Sequence, residues 1–426
     1  MLKTDCRIPT VDERAVHPAR VALICDLLEE NWPSMDLVAE MLYHHLDRDR
    51  MGNLQVTRVC PPMRRRFGRF PKLGTTPVGQ NLDRLANRFF DYPRSLRDLR
   101  SNFELFHIVD HSYAQLVHGL PAERTVVSCH DLDTFRCLLD PAREKRPGWF
   151  RAMTARILKG LTQAAHVITV SAVVRDEILS YGLLPPQRIT VIPNGVDPAC
   201  SPNPDPAADD ELARLLPPDC GKVLWLLSVG STIQRKRLDI LLRVLAAVRQ
   251  DLPDVRLMRV GGALTVEQLR LASDLGVQNA IVELGFVTRE VLAAAYRRAG
   301  LLVHTAEAEG FGLPLIEAMA CGCRVAATDL PVLREISGTA ATFCAHENIQ
   351  SWRGKVVRML QDRLESNGLW EHDRKQVLAH AARFSWAETA RRTADIYKQV
   401  LISSPVNSER SLRPDSGKFK KEGYTQ

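Results

Sequence analysis

Residues 301–325 have the sequence LLVHTAEAEGFGLPLIEAMACGCRV, which predicts a short apolar strand, a glycine-containing turn and a helix. Pro314 stands near the first position of this helix, and Gly322 marks its end. The start of such a helix offers free backbone N–H groups and the positive end of the helix dipole, which favour phosphate or sugar oxygens. Glu317 lies among apolar residues on every face, which is the pattern of a buried helix. Because a buried carboxylate without a partner is costly, we expect Glu317 to be buried with a partner rather than to lie on a solvated helix face.

Two glutamates of this stretch, Glu309 and Glu317, are separated by seven residues that include the turn Gly310-Phe311-Gly312-Leu313. The arrangement resembles the donor-sugar motif of retaining glycosyltransferases of the GT-B type, also described as group 1 or family 4-like. The resemblance implies an α/β fold of two facing Rossmann-like domains with parallel sheets and an interdomain cleft. It also implies that Glu317 holds the ribose hydroxyls of a nucleotide sugar and that Glu309, as a catalytic residue, lies against the transferred sugar. Backbone amides of the turn reach the sugar and phosphate oxygens in that family.

The composition is that of an ordinary globular protein, with 45% hydrophobic and 25% charged residues over 426 positions. At ~150 residues for each domain, this length predicts two or three domains. Ten cysteines without a Cys-x-x-Cys pair favour free thiols in a reducing compartment over a disulfide framework. No signal peptide is visible, and no apolar run approaches the ~20 residues that span a bilayer. We therefore expect a cytoplasmic protein.

Predicted strands and helices alternate in two α/β units, with a proline-rich segment between them. The resemblance implies a terminal helix that crosses back onto the first unit, and the last residues are polar and without pattern. We predict these segments: an N-terminal arm (1–19), an N-terminal acceptor-binding domain (20–198), a linker (199–221), a C-terminal nucleotide-sugar-binding domain (222–383), the crossing helix (384–402) and a disordered tail (403–426).

Polar residues follow the predicted strands of the first domain. His130, after one of them, stands beside Asp131 and Asp133, which is the composition of an acid–base cluster. The resemblance implies a histidine close to the reacting sugar at this strand end, and we assign His130 as catalytic. His111 and Ser34 follow two other strands. Because ligands collect at the carboxyl ends of parallel strands, we assign both to the acceptor side.

Cations stand between a strand end and a helix start in the second domain, an arrangement that can clamp a diphosphate. The resemblance implies an Arg just after the strand-end glycine and a Lys a few residues later, both on the donor diphosphate. Ser231 occupies the Arg position, while Lys236 fits the Lys and is assigned as catalytic and donor-binding. Arg235 is the candidate for the second charge. Phe286 and Val287 follow a later strand, at the turn that borders the nucleobase in the resembled family.

Residues 63–100 contain ten Lys or Arg against three Asp, which accounts for the whole net charge of +7, and five aromatic residues are interleaved with them. A solvated basic loop, an anionic acceptor and an anionic membrane surface are each compatible with this composition. A basic patch can also bind nucleic acid, but no nucleic acid is among the partners that we predict. We assign Arg64, Arg65 and Arg66 to the acceptor side. Peripheral binding to the inner face of a membrane stays an open interpretation.

The resemblance predicts a retaining transferase that moves a sugar from a nucleotide-sugar donor to a glycan, lipid-linked, phosphorylated or small-molecule acceptor. It predicts no cofactor and no metal, although Asp131-Leu132-Asp133 matches a metal-binding pattern of another glycosyltransferase class. A nucleotide-sugar epimerase, a sugar phosphorylase and a non-catalytic carbohydrate- or membrane-binding homologue stay as alternatives. An NAD-dependent dehydrogenase needs Gly-x-Gly-x-x-Gly after the first strand, and the stretch that follows Cys25 there has no glycine.

Overall fold

The computed structural model of the chain describes residues 17–48, 53–69, 76–218, 223–365 and 368–404. Strands in these parts of the chain form two six-stranded sheets, in which neighbouring strands run parallel. The predicted α/β architecture, with two domains built on parallel sheets, is confirmed. Most of the predicted arm and nearly all of the predicted tail lie outside the described residues.

The first sheet has the strand order β2-β1-β3-β4-β5-β6. Its strands are β1 (Ala19–Ile24), β2 (Leu54–Val59), β3 (Leu105–Ile108), β4 (Thr125–Cys129), β5 (His166–Thr169) and β6 (Ile189–Val191). The helices of this domain are α1 (Pro33–Arg48), α2 (Pro77–Ala86), α3 (Tyr92–Leu99), α4 (Arg136–Leu139), α5 (Gly148–Gln163) and α6 (Ala172–Ser180). Alternate residues of β1 point to apolar cores on opposite faces, so the sheet is covered on both sides.

The second sheet has the order β12-β11-β10-β7-β8-β9. Its strands are β7 (Trp225–Gly230), β8 (Arg256–Gly261), β9 (Ile281–Gly285), β10 (Leu301–His304), β11 (Val325–Thr328) and β12 (Ala341–Cys344). The remaining helices are α7 (Pro206–Leu215), α8 (Leu238–Val248), α9 (Val266–Asp274), α10 (Arg289–Arg298), α11 (Leu313–Ala320), α12 (Pro331–Ser337), α13 (Ile349–Leu364), α14 (Gly368–Ala381) and α15 (Trp386–Ser403). None of the helices in the described ranges is both long and apolar enough to cross a membrane.

Helix α7 lies within the segment predicted as a linker. Its residues Ala208 and Leu212 are buried in the same apolar core as Tyr296 of α10. Arg297 of α10 also donates to the carboxylate of Asp209 at 2.8 Å. The segment between the sheets is therefore partly built into the second domain, while the predicted domain boundaries stay predictions.

Helix α11 follows β10 through a tight turn, as the sequence predicts. Gly312 has a φ of 91°, a left-handed conformation that suits glycine, and it directly precedes the first residue of the helix. Pro314 occupies the first turn, where its missing N–H costs nothing. Gly322, with a φ of 75°, lies just after the end of the helix. Local backbone chemistry thus places the start of α11 at the carboxyl end of the central strands.

Helix α15 returns to the first domain and packs against its sheet. Its apolar residues share a core with β1, β3 and α1. The hydroxyl of Tyr397 lies 2.6 Å from Nδ1 of His107 on β3, and the other ring nitrogen lies 2.9 Å from Oγ of Ser128 on β4. Burial lowers the pKa of His107 to about 3, so the ring is neutral, with one donor and one acceptor nitrogen for these two hydroxyls.

Replacement of Tyr397 by Phe tests how much this contact holds α15 in place. The variant leaves a buried nitrogen of His107 without its partner, and we expect the free energy of unfolding to fall by about 1–2 kcal/mol in urea denaturation. The control is Tyr181→Phe, at an exposed tyrosine, for which the change should stay within about 0.5 kcal/mol. Equal stabilities for Tyr397→Phe and the wild type would contradict the structural role of this hydrogen bond.

Candidate active site

Glu309 is the centre of a charged cluster at the carboxyl end of β10. Its carboxylate contacts the ammonium group of Lys236, and Nε2 of His304 lies 3.0 Å from its Oε1. The guanidinium group of Arg235 lies 3.9 Å from its Oε2. Burial opposes ionisation, but the charge of Lys236, the hydrogen bond to His304 and the charge of Arg235 together lower the pKa of Glu309 far below its usual value. Glu309 is therefore ionised at neutral pH.

Glu317 is buried in α11, with 7% of its surface exposed. Its Oε2 accepts a hydrogen bond of 3.0 Å from the hydroxyl of Tyr296 on α10. Burial raises the pKa of Glu317 to about 7, although the hydrogen bond from Tyr296 lowers it. The nearby Arg289 is paired with Glu40 and Asp197 of the first domain. Hydroxyl groups of a ligand would supply the hydrogen bonds that favour the ionised form of Glu317.

Arg235, which the sequence predicts as a diphosphate ligand, bridges the two domains. Its Nε lies 3.1 Å from the carboxylate of Asp133, and its Nη2 lies 3.8 Å from the carboxylate of Asp131. Both acids belong to the segment that follows β4. The charge of Arg235 is therefore shared with first-domain carboxylates. Ser231 is uncharged, so Lys236 stays as the predicted diphosphate cation.

The two domains touch where Gly310 meets His130. A Cβ atom at position 310 would lie 1.7 Å from the backbone oxygen of His130, so the contact requires glycine. The hydroxyl of Ser171, at the start of α6, donates to the backbone oxygen of Gly310 at 2.9 Å. These contacts place the turn between Glu309 and Glu317 against the first domain, beside the predicted catalytic histidine.

His130 is buried and neutral. Its Nε2 lies 2.7 Å from the backbone oxygen of Val109, a contact that only a protonated nitrogen makes favourably, so Nδ1 is the acceptor. Burial lowers the pKa of His130, although the carboxylate of Asp110 raises it. The backbone N–H of His130 also donates to Nδ1 of His111 at 3.3 Å. His111 thus supports His130 at the end of β4.

Other predicted residues take different positions. Phe311 is buried and packs edge-to-face on Phe384, so the turn offers its backbone rather than this side chain. Phe286 and Val287 follow β9, the edge strand, and the side chain of Phe286 is 72% exposed.

Of the residues predicted for the acceptor side, Ser34 is exposed in the first turn of α1. The predicted acceptor-side arginines share one concave surface with three neighbours: Met63, Arg64, Arg65, Arg66, Gly68 and Arg69.

Sequence analysis did not single out several residues of these clusters. His304 and Tyr296 contact the two motif glutamates directly. Asp26 follows β1 and is buried, and burial together with the charge of Asp110 raises the pKa of Asp26. Two of these three residues, His304 and Asp26, stand at or just after the end of a parallel strand, where ligands collect. Tyr296 gives no such signal, because its role depends on the packing of α10 against α11.

Two family profiles match the chain. The profile of Glycosyl transferases group 1 matches residues 221–376, and that of Glycosyltransferase Family 4 matches residues 38–199. The chain belongs to the group 1, family 4-like glycosyltransferases of the GT-B type. The two profiles correspond to the second and the first domain, respectively, and the first of them includes both motif glutamates.

This glycosyltransferase chain is 26% identical to the serotype-specific mannosyltransferase WbdA of Escherichia coli, over 67% of the chain and 35% of that protein. It is 31% identical to the D-inositol 3-phosphate glycosyltransferase of Segniliparus rotundus, over 59% of the chain and 56% of that protein. The chain thus spans about a third and about half of the lengths of these relatives. HepE of Anabaena, solved in complex with UDP and glucose, has the same fold, with a TM-score of 0.67 and 15% identity over 89% of this chain and 100% of that one.

Replacement of Glu317 by Gln tests the raised pKa of this carboxyl group. The group ionises near pH 7 in the folded protein, against an ordinary value of 4.5. At a pH between these two pKa values, the unfolded chain has released the proton of Glu317 while the folded protein still holds it. The free energy of unfolding of the wild type therefore falls as the pH rises through this range. We expect the free energy of unfolding of the wild type to fall by about 3 kcal/mol relative to Glu317→Gln between pH ~4.5 and ~7.5.

The measurement is urea denaturation across this pH range without nucleotide. Glu290→Gln, at an exposed glutamate in the first turn of α10, is the matched control. Its stability should follow that of the wild type at every pH. If Glu317→Gln also follows the wild type, the carboxylate is not desolvated in the folded protein.

Proposed function

We propose that the chain transfers a sugar from a nucleotide-sugar donor to an acceptor with retention of anomeric configuration. The observation that carries the proposal is the placement of Glu309 and Glu317 on either side of one turn, which lies against the first domain at His130. In this proposal Glu317 holds the donor ribose, while Glu309 and Lys236 face the transferred sugar and the leaving phosphate. WbdA is named a mannosyltransferase and HepE was solved with UDP and glucose, which supports a sugar attached to a nucleoside diphosphate as donor.

The chemistry rests on electrostatic stabilisation of the leaving group. Departure of a nucleoside diphosphate leaves negative charge on its phosphates and positive charge on the anomeric carbon. Lys236, held by Glu309, and the positive end of the helix dipole at the start of α11 stabilise the phosphate charge. The departing phosphate then takes the proton of the acceptor hydroxyl on the same face of the sugar. The neutral ring of His130 orients the reacting groups, and no cofactor or metal enters the proposal.

Variants of the donor site test this proposal in two steps. A thermal-shift screen with UDP, GDP and ADP identifies the nucleotide, because a ligand that binds only the folded protein raises its melting temperature. With the corresponding nucleotide sugars, we expect Lys236→Ala and Glu317→Ala each to raise the donor KM and to lower kcat/KM by at least ~10-fold. The first loses a phosphate contact and the second a ribose contact.

Lys398→Ala, at an exposed lysine of α15, is the control and should keep wild-type kinetics. Donor kinetics like those of the wild type in both site variants would refute the assignment. Release of nucleoside diphosphate should depend on an added acceptor. Turnover of the donor without an acceptor would instead favour an epimerase of the same fold.

For the acceptor, we propose a phosphorylated or lipid-linked molecule that is bound on the first domain. The concave surface around Arg64, Arg65 and Arg66 supports this proposal, because arginines recognise phosphate through paired hydrogen bonds. Aromatic and aliphatic side chains are exposed in the same basic segment, with Phe90 exposed by 71% and Val78 by 63%. A relative from Segniliparus rotundus is named a D-inositol 3-phosphate glycosyltransferase, after a phosphorylated molecule. We propose that the protein is cytoplasmic and works at an anionic membrane surface.

Neutralisation of the three arginines tests the membrane proposal. We expect Arg64→Gln/Arg65→Gln/Arg66→Gln to abolish sedimentation with vesicles of phosphatidylglycerol and phosphatidylcholine. Wild-type binding should weaken as salt is raised, because charge attraction to the surface is screened. The control replaces three exposed cations elsewhere on the first domain, Arg143, Lys145 and Arg146, by Gln. Unchanged vesicle binding in the test variant, or no binding by the wild type, would remove the membrane proposal.

A further inference from the structure

Arg259 is a buried cation on β8, beside the carboxyl end of β7. Only 1% of its surface is exposed. Its Nη1 donates to the backbone oxygens of Ser228 at 3.3 Å and Val260 at 2.9 Å, and its Nη2 donates to those of Gly230 at 2.6 Å and Ser231 at 3.1 Å. One guanidinium group thus binds a carbonyl group of its own strand and three carbonyl groups where β7 passes into the turn that leads to Lys236.

The charge of Arg259 is not cancelled by a direct partner. Within the described ranges, no carboxylate lies at ion-pair distance from its guanidinium group. Burial lowers the pKa of Arg259 to about 10, so the group still carries its charge at neutral pH. Charged groups are rarely buried without a role, because desolvation is costly. Arg259 also lines one pocket with Ser231, Lys236 and His304, next to the cluster around Glu309.

The hydrogen bonds of Arg259 set the direction of the peptide groups in this turn. In a trans peptide, the N–H of a residue points opposite to the C=O of the residue before it. Because the carbonyl groups of Gly230 and Ser231 point toward Arg259, the N–H groups of Ser231 and Thr232 point away from it. Gly230 adopts a φ of 131°, which lets the chain turn sharply at this point. Successive N–H groups that point outward from a turn form a site for an anion.

We propose that Arg259 is the positioning residue of the donor diphosphate subsite. Its guanidinium group holds the turn from behind, so that the N–H groups of Ser231 and Thr232 face the diphosphate, and its charge adds to that of Lys236. This inference rests on the proposed function. Arg259 thereby supplies a positive charge in place of the cation that is missing at Ser231. Arg235 does not fill this role, because its charge is shared with two carboxylates of the first domain.

Binding of a nucleoside, its monophosphate and its diphosphate tests the role of Arg259 by calorimetry. The base is the one that raises the melting temperature of the wild type. Arg259→Gln should weaken diphosphate binding by about tenfold or more, since it removes both the charge and the order of the turn, while nucleoside binding changes less than about twofold. Arg256→Gln, on the same strand but away from the turn, is the control and should bind all three ligands like the wild type. If Arg259→Gln does not fold, Arg259→Lys, which keeps the charge but not the fork of donors, is compared in the same way.

The outcomes separate the two proposals. A selective loss of diphosphate affinity supports the role of Arg259. An equal loss for nucleoside and diphosphate, or no loss for either, overturns it while the donor site stands. If the wild type binds no nucleoside diphosphate at all, the donor site fails, and the role of Arg259 fails with it.

Discussion

A carboxylate held inside an apolar helix is the constraint on which this site depends. Glu317 is buried in α11, and the hydroxyl of Tyr296 is a partner too weak to hold its pKa at the ordinary value. The helix can begin where it does because Gly312 takes a left-handed conformation, and the turn before it meets the first domain because position 310 is glycine. A folded protein that keeps such a costly group gains from it when a ligand supplies the missing hydrogen bonds.

Charged groups of the two domains form pairs across the contact between them. Arg235 reaches Asp131 and Asp133, and Arg289 reaches Asp197 and Glu40. Apart from the buried Asp197, these groups are partly exposed, so most of the pairs contribute little to stability. Their effect is on the arrangement of the domains, because they hold the second domain against the first without filling the site.

The structure separates what local sequence can predict from what only the fold reveals. Helix α11 is predictable because its start, its end and its apolar faces are all encoded within one short stretch. Strand β2 escapes prediction, since LQVTRV is half polar and gains its place only by pairing with β1. Helix α7 is not predicted from the sequence, because it lies in a proline-rich segment and its stability comes from burial against α10. The ion-pair partners of Arg235, Asp131 and Asp133, lie about a hundred positions away in the sequence, and no local sequence pattern indicates this pairing.

We propose that the carboxylate of Glu317 binds the ribose hydroxyls of the donor. The direct measurement compares the affinities of a nucleoside diphosphate and its 2′,3′-dideoxy analogue in the wild type and in Glu317→Gln. We expect the wild type to prefer the ribonucleotide by about tenfold or more, since hydrogen bonds to a charged group contribute roughly 1.5–3 kcal/mol, and we expect the variant to lose most of this preference. The same preference in both proteins would contradict it.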